Sequence, residues 1–176
     1  MAIDPHKGQY GLRMNGQTGV ARAIEVVTRS HTHHVVVGLG EGLVASAEPW
    51  RGVVIRPETD YPNLVWSRFT WTEAEAEEIA FAAEVMEGTP YNYAAFAAMG
   101  AFGLFGYNVP SPVAKVMNAS RRVDCSELVV ECFADVTDLF SNPAWMAVPG
   151  DLEAYSIARG WDMTPEPTKP YEESSV

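Results

Sequence analysis

At 176 residues and 19.3 kDa the chain is the size of one domain, and with 47% apolar and 20% charged residues it can bury a core, which excludes global disorder. Twelve Lys and Arg against 23 Asp and Glu leave a net charge of -11. A surface that acidic repels phosphate backbones and anionic lipid heads, so no nucleic-acid partner is expected.

The N-terminal stretch MAIDPHKGQYGLRMNG has no apolar core of signal-peptide length and reads as unstructured. Thr18 is placed to cap a short helix whose apolar positions Val20, Ile24 and Val27 fall at helical spacing. After the His-rich turn SHTHH, the run Val35 to Val37, a glycine-dense turn and the run Leu43 to Ala45 predict a β-hairpin. Further strands are expected over Gly52 to Ile55 and Leu64 to Phe69. Thr72-Glu73-Ala74-Glu75 forms a capping box, opening a helix whose inward stripe is Ala76, Ile79, Ala80, Ala83 and Met86. Gly88 and Pro90 end it.

A helix of small residues is expected from about Asn92, a short one at Ser111-Pro112 and another over Asp124 to Phe133, with Asp151 capping the last. The apolar section Tyr93 to Tyr107 is too short for a membrane span and is interrupted by Gly100, Gly103 and Gly106, so no stable membrane insertion is expected. Residues 1–163 make one α+β domain, and the Pro-rich tail 164–176 is expected to be disordered.

Two cysteines, Cys125 and Cys132, give no disulfide scaffold. On one helix their spacing places them about 10 Å apart along the axis, beyond disulfide reach. Two free thiols in a reducing, cytoplasmic setting are expected. Asp124-Cys125-Ser126-Glu127 has the form of a second capping box, which makes Cys125 the first helical residue. There the macrodipole and unpaired amides are expected to lower the thiol pKa, and the same amides suit an oxyanion. Cys132, in the middle of the apolar stripe, reads as packing.

A thiol nucleophile needs a base, most often histidine. Of His6, His31, His33 and His34, the first lies in the expected unstructured stretch. Strand alternation puts His33 and His34 on opposite faces, so one of the pair is expected to face a cleft. The spacing His-x-His-His also suits metal ligands, but no Cys or Asp lies nearby at a recognised spacing, and neither metal nor cofactor is expected.

The order of these pieces resembles the circularly permuted NlpC-type papain-like cysteine hydrolases, in which the His precedes the Cys. The matching residues are His34-Val35-Val36-Val37, Ala47-Glu48-Pro49-Trp50-Arg51-Gly52-Val53, Gly88-Thr89-Pro90-Tyr91 and Cys125-Ser126-Glu127-Leu128-Val129. The resemblance implies a papain-like α+β fold, with a nucleophile-bearing helix packed on an antiparallel sheet that carries the His. It also implies acyl-thioester chemistry at an amide or ester carbonyl, with Cys125 as nucleophile, His34 as base and Tyr91 lining the cleft. Asp124 and Ser126, beside the thiol, are the other expected substrate contacts.

The family commonly has a Glu followed by Ala orienting the His. Here that place reads Ser46-Ala47, with Glu48 two positions on. A three-residue loop Gly40-Glu41-Gly42 pairs His34 with Glu48, a loop one residue tighter pairs it with Ala47, and a shifted loop pairs it with Ser46; a carboxylate orients imidazole better, which favours Glu48. The expected substrate is a small amide or peptide, such as a peptidoglycan stem peptide. A lipid-directed thiol acyltransferase or esterase and a catalytically silent binding protein are the other two readings.

Overall fold

The computed structural model describes residues 4–94 and 122–166. Among them, five strands form one antiparallel sheet: β1 (Tyr10–Met14), β2 (Thr32–Gly40), β3 (Leu43–Glu48), β4 (Gly52–Pro57) and β5 (Leu64–Trp66), in the order β4-β3-β2-β1-β5. The helices are α1 (Gly19–Thr28), α2 (Glu73–Val85), α3 (Cys125–Phe133) and α4 (Pro149–Ala158). This is an α+β architecture. None of these helices is long and apolar enough to cross a membrane.

Strand alternation divides the core. Tyr10, Leu12, Val35, Val37, Ala45 and Ala47 meet Ile79 and Ala83 of α2, Leu128, Val129 and Phe133 of α3, and Leu152 of α4. On the opposite face Val36, Val44, Leu64 and Trp66 pack with Tyr61 in a smaller cluster. Helix starts follow the sequence. Thr18 accepts from the Ala21 amide, and Thr72 and Glu75 make the reciprocal bonds of a capping box at 3.3 and 2.8 Å.

The N-terminal stretch is the main correction to the sequence reading. It supplies β1, an inner strand paired with β2 on one side and β5 on the other. Tyr10 and Leu12 alternate inward as a strand requires, and Gly11 admits Trp66, Val36 and Leu64 where a Cβ would crowd them. His6 is buried rather than loose: its ring stacks on Trp66 at 4.3 Å, and Nδ1 lies 3.1 Å from Glu58.

The backbone of His6 passes so close to β2 that a Cβ on Gly38 would stand 2.0 Å from the His6 carbonyl oxygen. Gly38→Ala is therefore expected to destabilise the fold by about 3 kcal/mol, because the obstacle is backbone that cannot rotate away. Urea denaturation checks it, and a loss under about 1 kcal/mol would mean that the N-terminal segment yields.

Smaller differences have local causes. β5 ends at Trp66: the Ser67 amide still donates to the Tyr10 carbonyl at 2.8 Å, but the Tyr10 amide turns to the Ser67 Oγ and the Phe69 amide to the Gln9 side chain. Asp151 is the third residue of α4, not its cap; its carboxylate accepts from the Val148 amide at 3.0 Å, and Pro149 opens the helix. Thr164 to Glu166 are placed, the Glu166 amide donating to Leu64 at 2.9 Å. The expected helices of residues 95–121, the apolar section beyond residue 94 and the tail 167–176 lie outside the described residues.

Candidate functional site

Residues 90–92 and 123 hold the start of α3 in place. Val123 donates to the Pro90 carbonyl at 3.1 Å, Asn92 donates to the Val123 carbonyl at 3.0 Å, and Asn92 Nδ2 reaches Glu127 Oε2 at 3.2 Å. Asp124 caps the helix as the sequence predicts. Its Oδ1 accepts from the Ser126 and Glu127 amides at 2.9 Å each, and Glu127 returns a bond to the Asp124 amide at 3.3 Å. Cys125 is thus the first helical residue, and its own amide is left out of the cap.

The histidine side is built by the β2–β3 hairpin. Its loop is Glu41-Gly42, both at positive φ, and Gly40 pairs with Leu43; a bulge at Leu39 then restores Gly38↔Val44 and Val37↔Ala45. That register aims Glu48 at the level of His34, but the ladder stops at Val37↔Ala45. The imidazole turns instead to Ser46, whose Oγ lies 2.8 Å from Nε2. Glu48, the expected partner, takes the Tyr61 hydroxyl and the Arg51 guanidinium. Tyr61 in turn stacks on His34 with ring centroids 5.8 Å apart. Ser46 engages Nε2, so Nδ1 is the ring nitrogen left for a thiol.

One cleft of about 930 Å³ is lined by Cys125, Asp124, His34, Glu48, Tyr91 and Trp50, among others. His33 lines it too, against the expectation that one histidine alone would. The cause is a second bulge: Arg13 pairs with His34 and Met14 with Thr32, which leaves His33 as the extra residue and breaks strict alternation. His33 Nδ1 lies 3.1 Å from Glu25. Cys125 and His34 are not hydrogen-bonded to each other; the thiol's neighbours are the Val35 backbone, one residue along from His34, and Ser126.

Electrostatics correct a further expectation. Burial pushes the Cys125 thiol up to about 12, and the Asp124 charge adds to it, while the Val35 backbone and Ser126 only partly offset this. Helix-start stabilisation is therefore outweighed by depth. Burial likewise lowers His34 to about 3, helped by His33 and Arg13. Both groups are therefore neutral at rest, on the wall of one cleft. Asp124 is 1% exposed and rises to about 6 through burial, partly offset by the Glu127 and Ser126 amides, and its Oδ2 is buried with no hydrogen-bond partner among the described residues. Tyr91 is also buried, and its phenol is raised by burial and by Cys125.

Cys132 lies outside this cleft, its sulfur 3.9 Å from that of Met86, and both cysteines are free. Among the described residues no three His, Cys, Asp or Glu side chains converge as metal ligands would. Sequence reasoning assigned no role to Trp50, which is 90% exposed at the cleft mouth in a left-handed conformation (φ +71°). Its amide donates to the Tyr93 hydroxyl, and the two rings lie 5.2 Å apart. A bulky residue at positive φ was the signal, and it is visible only in the folded turn. No protein-family model matches the chain, and no curated protein matches it.

Proposed function

We propose that this protein is a cysteine hydrolase of the papain-like, permuted NlpC type, cleaving a small amide or peptide through an acyl-thioester on Cys125. The observation that carries the reading is one cleft lined both by a cysteine at a capped helix start and by a histidine whose Nε2 is already engaged by Ser46.

With both groups neutral at rest, the thiol proton passes to His34 Nδ1 as sulfur attacks, rather than beforehand. The S–C bond forms, and the carbonyl oxygen becomes an oxyanion facing the uncapped Cys125 amide. Collapse breaks the C–N bond, and the imidazolium returns its proton to the departing amine. Water then attacks the thioester, gives a proton to His34, and the acid leaves as the thiol is restored. Asp124 Oδ2, buried and without a partner among the described residues, suits an ammonium or amide N–H of the substrate. Ser126 and Tyr91 complete that wall.

The raised thiol pKa favours the silent-protein reading, and reactivity separates the two. Iodoacetamide labelling near pH 8 with peptide mapping is expected to modify Cys125 slowly and Cys132 more slowly still. The cleft reaches the former alone. Acyl-enzyme trapping with a panel of amide and ester substrates should place the added mass on Cys125. Equal labelling of both thiols, or mass on Cys132 alone, would sink the proposal.

A further inference from the structure

The cleft contains a charge that the proposed chemistry does not use. Arg13 lies on β1 directly across the ladder from His34, where facing Cβ atoms stand about 5 Å apart. Its side chain is partly buried and lines the same cleft as Cys125. Among the described residues it has neither an ion pair nor a side-chain hydrogen bond, in a chain where carboxylates outnumber cations by 23 to 12. Its fellows differ. Arg51, Arg56 and Arg68 are each paired with a carboxylate, and the unpaired Arg22, Arg29 and Arg122 are exposed to solvent.

A half-buried guanidinium without a partner forgoes part of its hydration, and its planar fork of donors fits a carboxylate in bidentate fashion. Asp124, on the same cleft wall as the thiol, presents the opposite unmatched charge. We propose that Arg13 is the carboxylate anchor of this cleft, selecting short peptides that bear a free carboxylate next to the bond held at Cys125. The proposal rests on reading the cleft as a substrate site, and it adds the substrate's charge class. It also links binding to chemistry. The Arg13 charge disfavours the imidazolium form of His34, and a bound carboxylate would cancel that charge where the proton must arrive.

The test is calorimetric titration of Cys125→Ala, which removes turnover, with the dipeptide Ala-Glu and with its uncharged isostere Ala-Gln amide. Ala-Glu is expected to bind at least about tenfold more tightly, the size of a charged hydrogen-bonded pair. Adding Arg13→Gln should bring the ratio close to one, and Arg13→Lys should leave an intermediate preference. The thermal midpoint of Arg13→Gln should match its parent, since the guanidinium has no partner to lose among the described residues.

Equal binding of the two peptides, no binding of either, or a preference that survives Arg13→Gln overturns the assignment. The hydrolase reading fails separately. If the preference is found but wild-type protein forms no acyl-enzyme with any amide, the anchor stands and the chemistry falls. If amides are cleaved without regard to carboxylate, the reverse holds.

Discussion

His34→Ala is expected to lower kcat/KM by about 10³-fold, while His33→Ala changes it no more than a few-fold. Both rings line the cleft, so proximity alone does not choose between them. Their second nitrogens do. Ser46 Oγ holds His34 Nε2 at 2.8 Å and Tyr61 stacks on the ring, which fixes the direction of Nδ1. His33 instead lies against Glu25 on α1, whose carboxylate also accepts from the Gly16 amide at 2.6 Å. That arrangement ties the loop before α1 to the bulge in β2 and is structural.

The same reasoning orders the supporting residues. Ser46→Ala should cost about tenfold, since a freed ring samples unproductive orientations. Glu48→Gln should cost no more than about twofold, because Glu48 acts on Tyr61 and Arg51. Kinetics on any amide turned over by wild type and not by Cys125→Ala decide this. If His33→Ala is the damaging change, the role of base passes to His33. If Glu48→Gln is as damaging as Ser46→Ala, the positioning argument fails.

The parts of this architecture that were legible in the sequence are those settled within a few residues of chain. Thr72 and Asp124 cap their helices because the box needs only its own four residues, and the glycine turn announces the hairpin it closes. What escaped depends on distant chain. β1 looks like loop until β2 and β5 flank it, and Gly11, a poor strand former alone, is suited to the place because Trp66 and Val36 crowd it.

The level of His34 was legible, but its partner and the loop that sets the level were not: a two-residue loop with a bulge at Leu39 stands in place of the expected three-residue loop. The hairpin does level Glu48 with His34, but the ladder ends before reaching them, and side-chain reach then decides for Ser46. The thiol shows the same limit more sharply. A helix start argues for a lowered pKa and burial for a raised one, and only the packed structure gives the depth at which burial wins.

That depth yields a second large effect. Asp124→Asn is expected to gain stability relative to wild type as pH rises, by on the order of 2–3 kcal/mol between pH 4 and pH 8. Asn is as good a cap as Asp, and its Oδ1 can keep both amide bonds. The amide nitrogen left where Oδ2 stood finds no acceptor, but that cost is the same at every pH and cancels in the comparison. What remains is the titration of Asp124. Its folded pKa of about 6 lies above the ordinary 3.8, mainly through burial, so the folded state holds the proton more tightly than the unfolded chain does. The associated stability is fully present below about pH 4 and is lost as pH rises through 6.

Glu127, raised to about 7 by burial and then by the Asp124 charge, extends the same trend upward, and removing that charge from its neighbour relieves part of it. His34 works in the opposite sense: its pKa is lowered to about 3, so its contribution grows as pH rises from 3 towards 6.5, but it does so in both proteins. Paired denaturant titrations of wild type and Asp124→Asn across this range measure the difference. A gap that does not change with pH would mean that Asp124 ionises as an exposed carboxylate does. In that case its Oδ2 is already satisfied by solvent, and nothing on that wall of the cleft is held in reserve for a substrate's cation.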